Sequence, residues 1–458
     1  MSRPTLAQQV ASAIAQQITD GALKAGEKLP SLREYMRLHG HSKNTVITAY
    51  EHLAADGLVE ARHGQGFFVI KRVAHTSEEE DSLPYNRAPG HHLDDAPAVC
   101  ARPGPFPPRR RLPAGGMVDG HAPGQVPPPS GARRGHHAVS LRHAPGQRRV
   151  ARAAGAKLAD YALPVSPRQL VTTLGANHAM DLIIRRYLNP GDPVLVEDPG
   201  YYPLFGKLQL HGARMFGVPR EPDGPDLQAL EQLIKAHRPR LFFLQSIGHN
   251  PTGSDLSPAK AHQLLRIAET YDLLLVENDA MADFKPSSAI KLSALDQLNR
   301  TLYVGSFSKS VSAALRVGFI AGSKQRVEEL ADIKMILHNS GAEYSERTID
   351  VILGEGQFLR HLSRLQDRLR HATARGLDLL DELGAEVFCR PEQSLYLWAR
   401  FPHIEDANAL TRHCLAQGVM LAPGSIFSTQ PKNTSPWTRL NVAYLDDPVF
   451  CRIIRELR

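Results

Sequence analysis

The sequence predicts an α/β protein in two parts: a small helical module closed by a β-hairpin, then a large domain built on a mostly parallel sheet. Three observations predict it. Apolar residues recur every four positions through residues 6 to 18, and capped helical patterns continue to residue 55. From Lys157 onward, short apolar runs alternate with helical stretches, the pattern of parallel strands buried on both faces. The length, 458 residues, exceeds what one hydrophobic core ordinarily organises.

In the first module, Leu6, Val10, Ile14 and Ile18 lay one apolar stripe along a helix that Asp20-Gly21 stops. Ser31 caps a second helix, and Glu34 three residues on completes a capping box. After the turn His39-Gly40-His41, Ser42 caps a third helix whose Val46, Tyr50 and Leu53 face inward until Asp56-Gly57 ends it. Alternating residues on either side of His63-Gly64-Gln65-Gly66 then predict a β-hairpin.

Three helices and a hairpin are the plan of a winged helix-turn-helix. Ser42, Lys43, Asn44 and Thr45 crowd donors onto the first turn of the third helix, the end that a recognition helix presents to the major groove. Arg33 on the second helix and Arg62 at the wing add candidate backbone contacts. Taken singly, each of these residues also reads as an ordinary polar side chain on a capped surface helix. The ordered set resembles the GntR family: Leu29-Pro30-Ser31-Leu32-Arg33-Glu34, Ser42-Lys43-Asn44-Thr45-Val46, Ala49-Tyr50-Glu51-His52-Leu53 and Gly64-Gln65-Gly66-Phe67-Phe68-Val69. That resemblance implies a double-stranded DNA operator as partner and adds Gly64 of the wing to the DNA-facing residues.

In the large domain, Pro193-Val194-Leu195-Val196, Leu241-Phe242-Phe243-Leu244, Leu273-Leu274-Leu275-Val276 and Thr301-Leu302-Tyr303-Val304 read as strands. Ligand groups of such a sheet gather at the strands' carboxyl ends. Asn250, the run Glu277-Asn278-Asp279 and the run Ser306-Phe307-Ser308-Lys309 each follow a strand. Ser306, Lys309 and Arg316 together offer a hydroxyl and a guanidinium for a phosphate and an amine for an aldehyde.

With His249-Asn250-Pro251-Thr252-Gly253 upstream, this region resembles the fold-type I aminotransferases that use pyridoxal 5'-phosphate. With the first module, nearly the whole chain resembles the MocR subgroup of GntR regulators. The resemblance implies that Lys309 is the catalytic lysine that joins the cofactor aldehyde. Ser306, Arg316 and the amides of Gly175, Ala176 and Asn177 would bind the phosphate. Tyr201 would stack on the ring, Asn250 would bond its phenolic oxygen, and Arg439 would take the carboxylate of an amino-acid-like effector. Tyr201 as a rim aromatic and Arg439 as a surface charge are the plainer alternatives.

Two departures from that pattern bear on chemistry. The family shows Glu-Asp-Asp-x-Tyr, where this chain has Glu277-Asn278-Asp279-Ala280-Met281. In strict register the partner of the pyridine nitrogen is Asn278, and an amide does not hold that nitrogen protonated as a carboxylate does. A one-residue shift of the strand end would bring Asp279 there instead, and Asp279 is the expectation adopted, because it alone offers a carboxylate.

The second departure lies between about residues 84 and 150, where periodicity gives way to Pro-, Gly-, Arg- and His-rich sequence such as Pro105-Phe106-Pro107-Pro108-Arg109-Arg110-Arg111. A linker is the ordinary reading, yet the segment is too long for a structureless loop inside a compact domain. The family's Tyr-Gly-x-Pro-x-Gly-x-x-x-Leu-Arg stretch is absent. Arg142-His143-Ala144-Pro145-Gly146-Gln147 can be written CGC CAC GCC CCG GGG CAG, which one nucleotide later reads Ala-Thr-Pro-Arg-Gly. A frame-shifted stretch is therefore expected, with cofactor affinity and the family's homodimer both affected. The expected domains are 1–72, the winged helix; 73–150, linker and atypical segment; and 151–458, the aminotransferase-like domain.

The net charge of +7 permits nucleic-acid binding without demanding it. Cys100, Cys389, Cys414 and Cys451 have no CxxC spacing, and His136-His137 lacks paired ligands, so neither a disulfide framework nor a metal is expected. With no export signal and no apolar run approaching about 18 residues, a cytoplasmic protein without membrane contact is expected. The expected function is transcriptional regulation by a domain that senses an amino compound or the cofactor itself. A working class I/II aminotransferase with a DNA-binding appendage is the alternative.

Overall fold

The computed structural model describes residues 6–69 and 145–458, apart from 21, 25, 56–57, 63–65, 339–340, 355–356, 431–433 and 458. The linker, most of the atypical segment and Gly64 lie outside the described residues, as does the side chain of Arg62. The chain divides into two units, one containing the first module and the other the large domain.

In the first unit, α1 (Leu6–Thr19), α2 (Leu32–His39) and α3 (Lys43–Ala55) precede a hairpin of β1 (Val59–Arg62) and β2 (Gly66–Val69). Val10, Ile14, Val46, Tyr50 and Leu53 form its core with Leu29, Tyr35, Val59 and Val69. Leu6, counted in the apolar stripe, is exposed, because α1 begins there and its first turn extends past the core. The Ser31 hydroxyl accepts from the Glu34 amide at 3.2 Å, and Gly40 ends α2 at φ +67°, the left-handed conformation glycine reaches without strain.

The second unit opens with α4 (Pro145–Asp160), whose Val150, Ala154 and Leu158 are fully buried. Its opening turns therefore lie in the segment read as linker. Next come β3 (Leu170–Thr173), α5 (Ala176–Tyr187), β4 (Pro193–Asp198), α6 (Tyr202–His211), β5 (Arg214–Glu221), β6 (Gly224–Pro225), α7 (Leu227–His237), β7 (Leu241–Leu244), α8 (Pro258–Thr270), β8 (Leu274–Asn278), α9 (Leu292–Asp296), β9 (Thr301–Ser306) and β10 (Gly318–Ala321). These strands form one sheet in the order β3-β10-β9-β8-β7-β4-β5-β6. From β9 to β5 neighbouring strands are parallel, and β10 runs antiparallel to both its neighbours.

Helices α5, α6 and α10 (Lys324–His338) cover one face through Met180, Ile183, Leu204, Leu208 and Leu330. On the other face, α7 and α8 cover Leu195, Phe242 and Leu275, while α4 and α11 (Glu343–Gly354) cover Tyr303, Phe307 and Phe319. Burial on both faces is why the strands read as continuous apolar runs. The chain ends with α12 (Gln357–Glu382), β11 (Glu386–Val387), β12 (Tyr396–Arg400), α13 (Ala407–Ala416), β13 (Ala422–Pro423), β14 (Trp437–Asn441) and α14 (Pro448–Glu456), its strands forming an antiparallel sheet β11-β12-β14-β13. No described helix is long and apolar enough to cross a membrane.

Candidate functional site

The carboxyl ends of β3 and β9 and the turn before β10 converge on one cradle. Gly175, between β3 and α5, has φ +83°, and a Cβ on it would lie 2.9 Å from Arg316 Nη2 and 3.6 Å from Ser308 Oγ. The missing side chain thus leaves the space where a helix start, a guanidinium and a hydroxyl meet. The Thr173 hydroxyl fixes the turn by donating to the Gly175 carbonyl at 3.0 Å, and Arg316 Nη2 reaches the Leu174 carbonyl at 3.5 Å.

Ser306 accepts from the Ser308 amide at 3.1 Å, so its hydroxyl shapes the turn that carries half-buried Lys309. Ser308 is a site residue that sequence reasoning misses, because the Ser-x-x-Lys pattern passes over the serine beside the lysine. Its Oγ is buried with no hydrogen-bond partner among the described residues. Such an orphan needs a reason, and an anionic ligand at the turn would supply one.

Asn278 and Asp279 face opposite sides of the sheet. Asn278 lies on the face of Val276 and lines a narrow cleft with Tyr201, Glu197 and Gln245, its Oδ1 buried and without a described partner. Asp279 accepts a hydrogen bond from the Tyr303 hydroxyl at 3.0 Å, on the face that α4 covers. The expectation that Asp279 enters the cleft is therefore corrected. Asn278 pairs with Val304 in an unbroken register, and alternate residues of a strand point to opposite faces. Burial pushes the Asp279 carboxyl up to about 7, against the opposing charge of Lys291. Met281 is buried in the core of the C-terminal sheet and gives the cleft no hydroxyl.

The loop after β7 is held by buried charge. Glu197 Oε1 pairs with Arg220 Nη1 at 2.5 Å, and Oε2 lies 3.3 Å from His249 Nε2 and accepts from the Gln245 amide at 2.8 Å. Burial alone would raise the Glu197 pKa, but Arg220 and His249 bring it down to about 2. Gln245 in turn accepts the Asn250 amide at 3.0 Å. Asn250 Oδ1 accepts from Arg439 Nη1 at 3.0 Å, and the Arg439 guanidinium lies 4.3 Å from the Tyr396 ring centre and 5.0 Å from that of Phe427. Arg439 is wholly buried, which removes the surface-charge alternative. The Tyr201 hydroxyl donates to Asn177 Oδ1 at 3.1 Å, linking the aromatic to the first turn of α5.

A helix start with a guanidinium and an unpartnered hydroxyl beside it, a neighbouring lysine and a carboxamide in the cleft have the chemistry that pyridoxal 5'-phosphate requires of its site. Arg316 and Ser308 close on Gly175, which precedes Ala176 and Asn177 at the start of α5, and Asn278 lines the narrow cleft beside Tyr201.

In the first unit, the Ser42 hydroxyl accepts from the Thr45 amide at 3.2 Å and lies 2.8 Å from the Thr45 hydroxyl. These two side chains cap α3, while Lys43, Asn44 and Arg33 are exposed. The first turn of α3 thus presents a charge and an amide on a rigid, capped helix end.

Residues 128–457 match the family model described as Aminotransferase class I and II, and residues 6–69 match that of bacterial regulatory proteins, gntR family. The chain is 28% identical over 452 residues to YdcR, an uncharacterized HTH-type transcriptional regulator of Escherichia coli strain K12, covering 95% of each chain. It is 27% identical over 432 residues to the probable rhizopine catabolism regulatory protein MocR of Rhizobium meliloti, covering 89% of this chain and 84% of that one. Among solved structures, LysN, the alpha-aminoadipate aminotransferase of Thermus thermophilus complexed with N-(5'-phosphopyridoxyl)-L-leucine, superposes with a TM-score of 0.62. The identity is 27%, over 68% of this chain and 82% of that one.

Proposed function

Because the chain belongs to the class I and II aminotransferase family and is an HTH-type transcriptional regulator of the MocR/GntR type, we propose that it binds pyridoxal 5'-phosphate and uses it to sense an amino compound, so that its large domain governs operator binding. The cofactor, when bound, supplies an aldehyde that an amine can capture and a ring that can accept electrons. In this reading Lys309 holds the aldehyde carbon. Arg316 would neutralise the phosphate while the Ser308 hydroxyl and the amides that open α5 would donate hydrogen bonds to it, with Ser306 shaping the turn. Asn250 and Arg439 bind the phenolic oxygen and the effector's carboxylate, and Tyr201 covers the ring face.

One observation carries the choice of sensor over enzyme: the group at the deep end of the cleft is the Asn278 carboxamide, with Asp279 turned away. A carboxamide can donate Nδ2–H to an unprotonated ring nitrogen, but it does not stabilise a protonated one as a carboxylate would. Asn278 would thus leave a bound ring a weak electron sink, which would favour capture of an amine over transfer of its nitrogen. In this reading the protein acts on a DNA operator in the cytoplasm as a homodimer, unless the atypical segment disrupts it.

The test is the visible absorbance of the purified protein, before and after borohydride, with steady-state assay of an amino donor and a keto acceptor. The expected result is a cofactor band that borohydride abolishes, with negligible turnover. Turnover on the order of 1 s⁻¹ or faster would make the chain a working aminotransferase.

A further inference from the structure

His178 sits on the first turns of α5, one helical turn beyond the cradle, and is only 9% exposed. Its Nδ1 accepts a hydrogen bond from the Leu174 amide at 3.0 Å, while the carbonyl of the same Leu174 receives Arg316 Nη2 at 3.5 Å. The Leu174–Gly175 turn is thus gripped on both sides. The backbone of Gly318 closes on it too, since a Cβ on Gly318 would come within 2.9 Å of Gly175 Cα. The orientation of this turn decides where the amides that open α5 point.

The other imidazole nitrogen, Nε2, is buried with no hydrogen-bond partner among the described residues, and the ring packs edge-on against His338 at 4.3 Å. A histidine used only to fill space leaves no reason to strand a polar nitrogen, which costs about 1–3 kcal/mol. The cost is understandable if Nδ1 has a task that an apolar side chain of the same size lacks. Burial, and then the neighbouring His338 and Lys334, lower its pKa to about 4, so Nδ1 stays an acceptor at neutral pH.

We infer that His178 is a positioning residue for the phosphate end of the cofactor, setting the Leu174–Gly175 turn so that the start of α5 and the Arg316 guanidinium face one anion. The inference rests on the cofactor reading above and concerns the phosphate alone. His178 does not line the cleft that holds Asn278 and Tyr201, so its effect must pass through the Leu174–Gly175 turn.

The experiment compares dissociation constants of pyridoxal 5'-phosphate and of unphosphorylated pyridoxal, by absorbance titration of the full chain, for wild type, His178→Leu and His178→Gln. His178→Leu should weaken the phosphate compound roughly threefold to tenfold, the value of one hydrogen bond, and leave pyridoxal within about twofold. His178→Gln, whose Oε1 can accept from the Leu174 amide, should recover most of the loss. His178→Ser, too short to reach that amide, gives the same reading where the Leu variant does not fold. Equal losses on both compounds, or none on either, would overturn the inference. A wild-type protein that binds neither compound would overturn the cofactor reading, and the inference with it.

Discussion

At the scale of single residues, Asn278 and Asp279 separate two properties that one carboxylate usually combines. Asn278→Asp restores a carboxylate on the cleft face. It is expected to speed amino transfer by an order of magnitude or more, because each ~1.4 kcal/mol of added stabilisation is worth tenfold. The cofactor's loss of its visible band on adding an amino acid, followed by stopped flow, checks this; an unchanged rate would mean that the ring nitrogen does not meet residue 278. Asp279→Asn addresses stability. A carboxyl raised from its ordinary 3.8 to about 7 by burial contributes stability that is fully present below pH 3.8 and lost as pH rises through about 7. The amide does not ionise, so the variant should gain on wild type from pH 3.8 to about 7, by at most a few kcal/mol, and hold a constant lead above. Urea unfolding across that range measures it, and a pH-independent difference would contradict it.

At the scale of elements, α3 is the proposed DNA-facing helix. Its Ser42 and Thr45 are occupied with each other and with the helix end, so affinity for phosphates and bases falls to exposed neighbours. Lys43→Ala should weaken operator binding and lower the salt slope by about 1, through one lost phosphate contact. Asn44→Ala should cost roughly 1–3 kcal/mol on the operator and less on random DNA, because an amide on a base edge discriminates between sequences. Titrations on both DNAs at several salt concentrations decide the matter, and equal losses on both would make Asn44 a backbone contact.

At the scale of the molecule, each unit has its own hydrophobic core, and in the proposed reading the cofactor acts on operator binding through the state of the large domain. Lys309→Ala should abolish the visible band and most of the change in operator affinity produced by amino compounds. The excised residues 1–75 should remain folded and bind DNA. A ligand response requires differential affinity for two states of that domain, and the lysine supplies the exchange partner on which that difference depends. An undiminished response in the variant would place the sensing elsewhere.

The helix-turn-helix was legible in the sequence because local signals coincide there: Ser31 and Ser42 cap, Gly40 stops a helix, and Val46, Tyr50 and Leu53 repeat at helical spacing. The parallel strands were legible as apolar runs for the same local reason, and Lys309, Arg316 and Asn250 became candidates for a cofactor site through their order along the chain. What the sequence could not determine was direction across the sheet. Whether Asn278 or Asp279 enters the cleft depends on the register of β8 against β9, a non-local pairing that a shift of one residue would invert. The same limit hid Ser308 and His178, whose roles arise where the ends of β3, β9 and the turn before β10 meet at Gly175. Periodicity and capping are properties of neighbours in sequence, whereas a cradle is made by residues far apart in the chain that only packing brings within bonding distance.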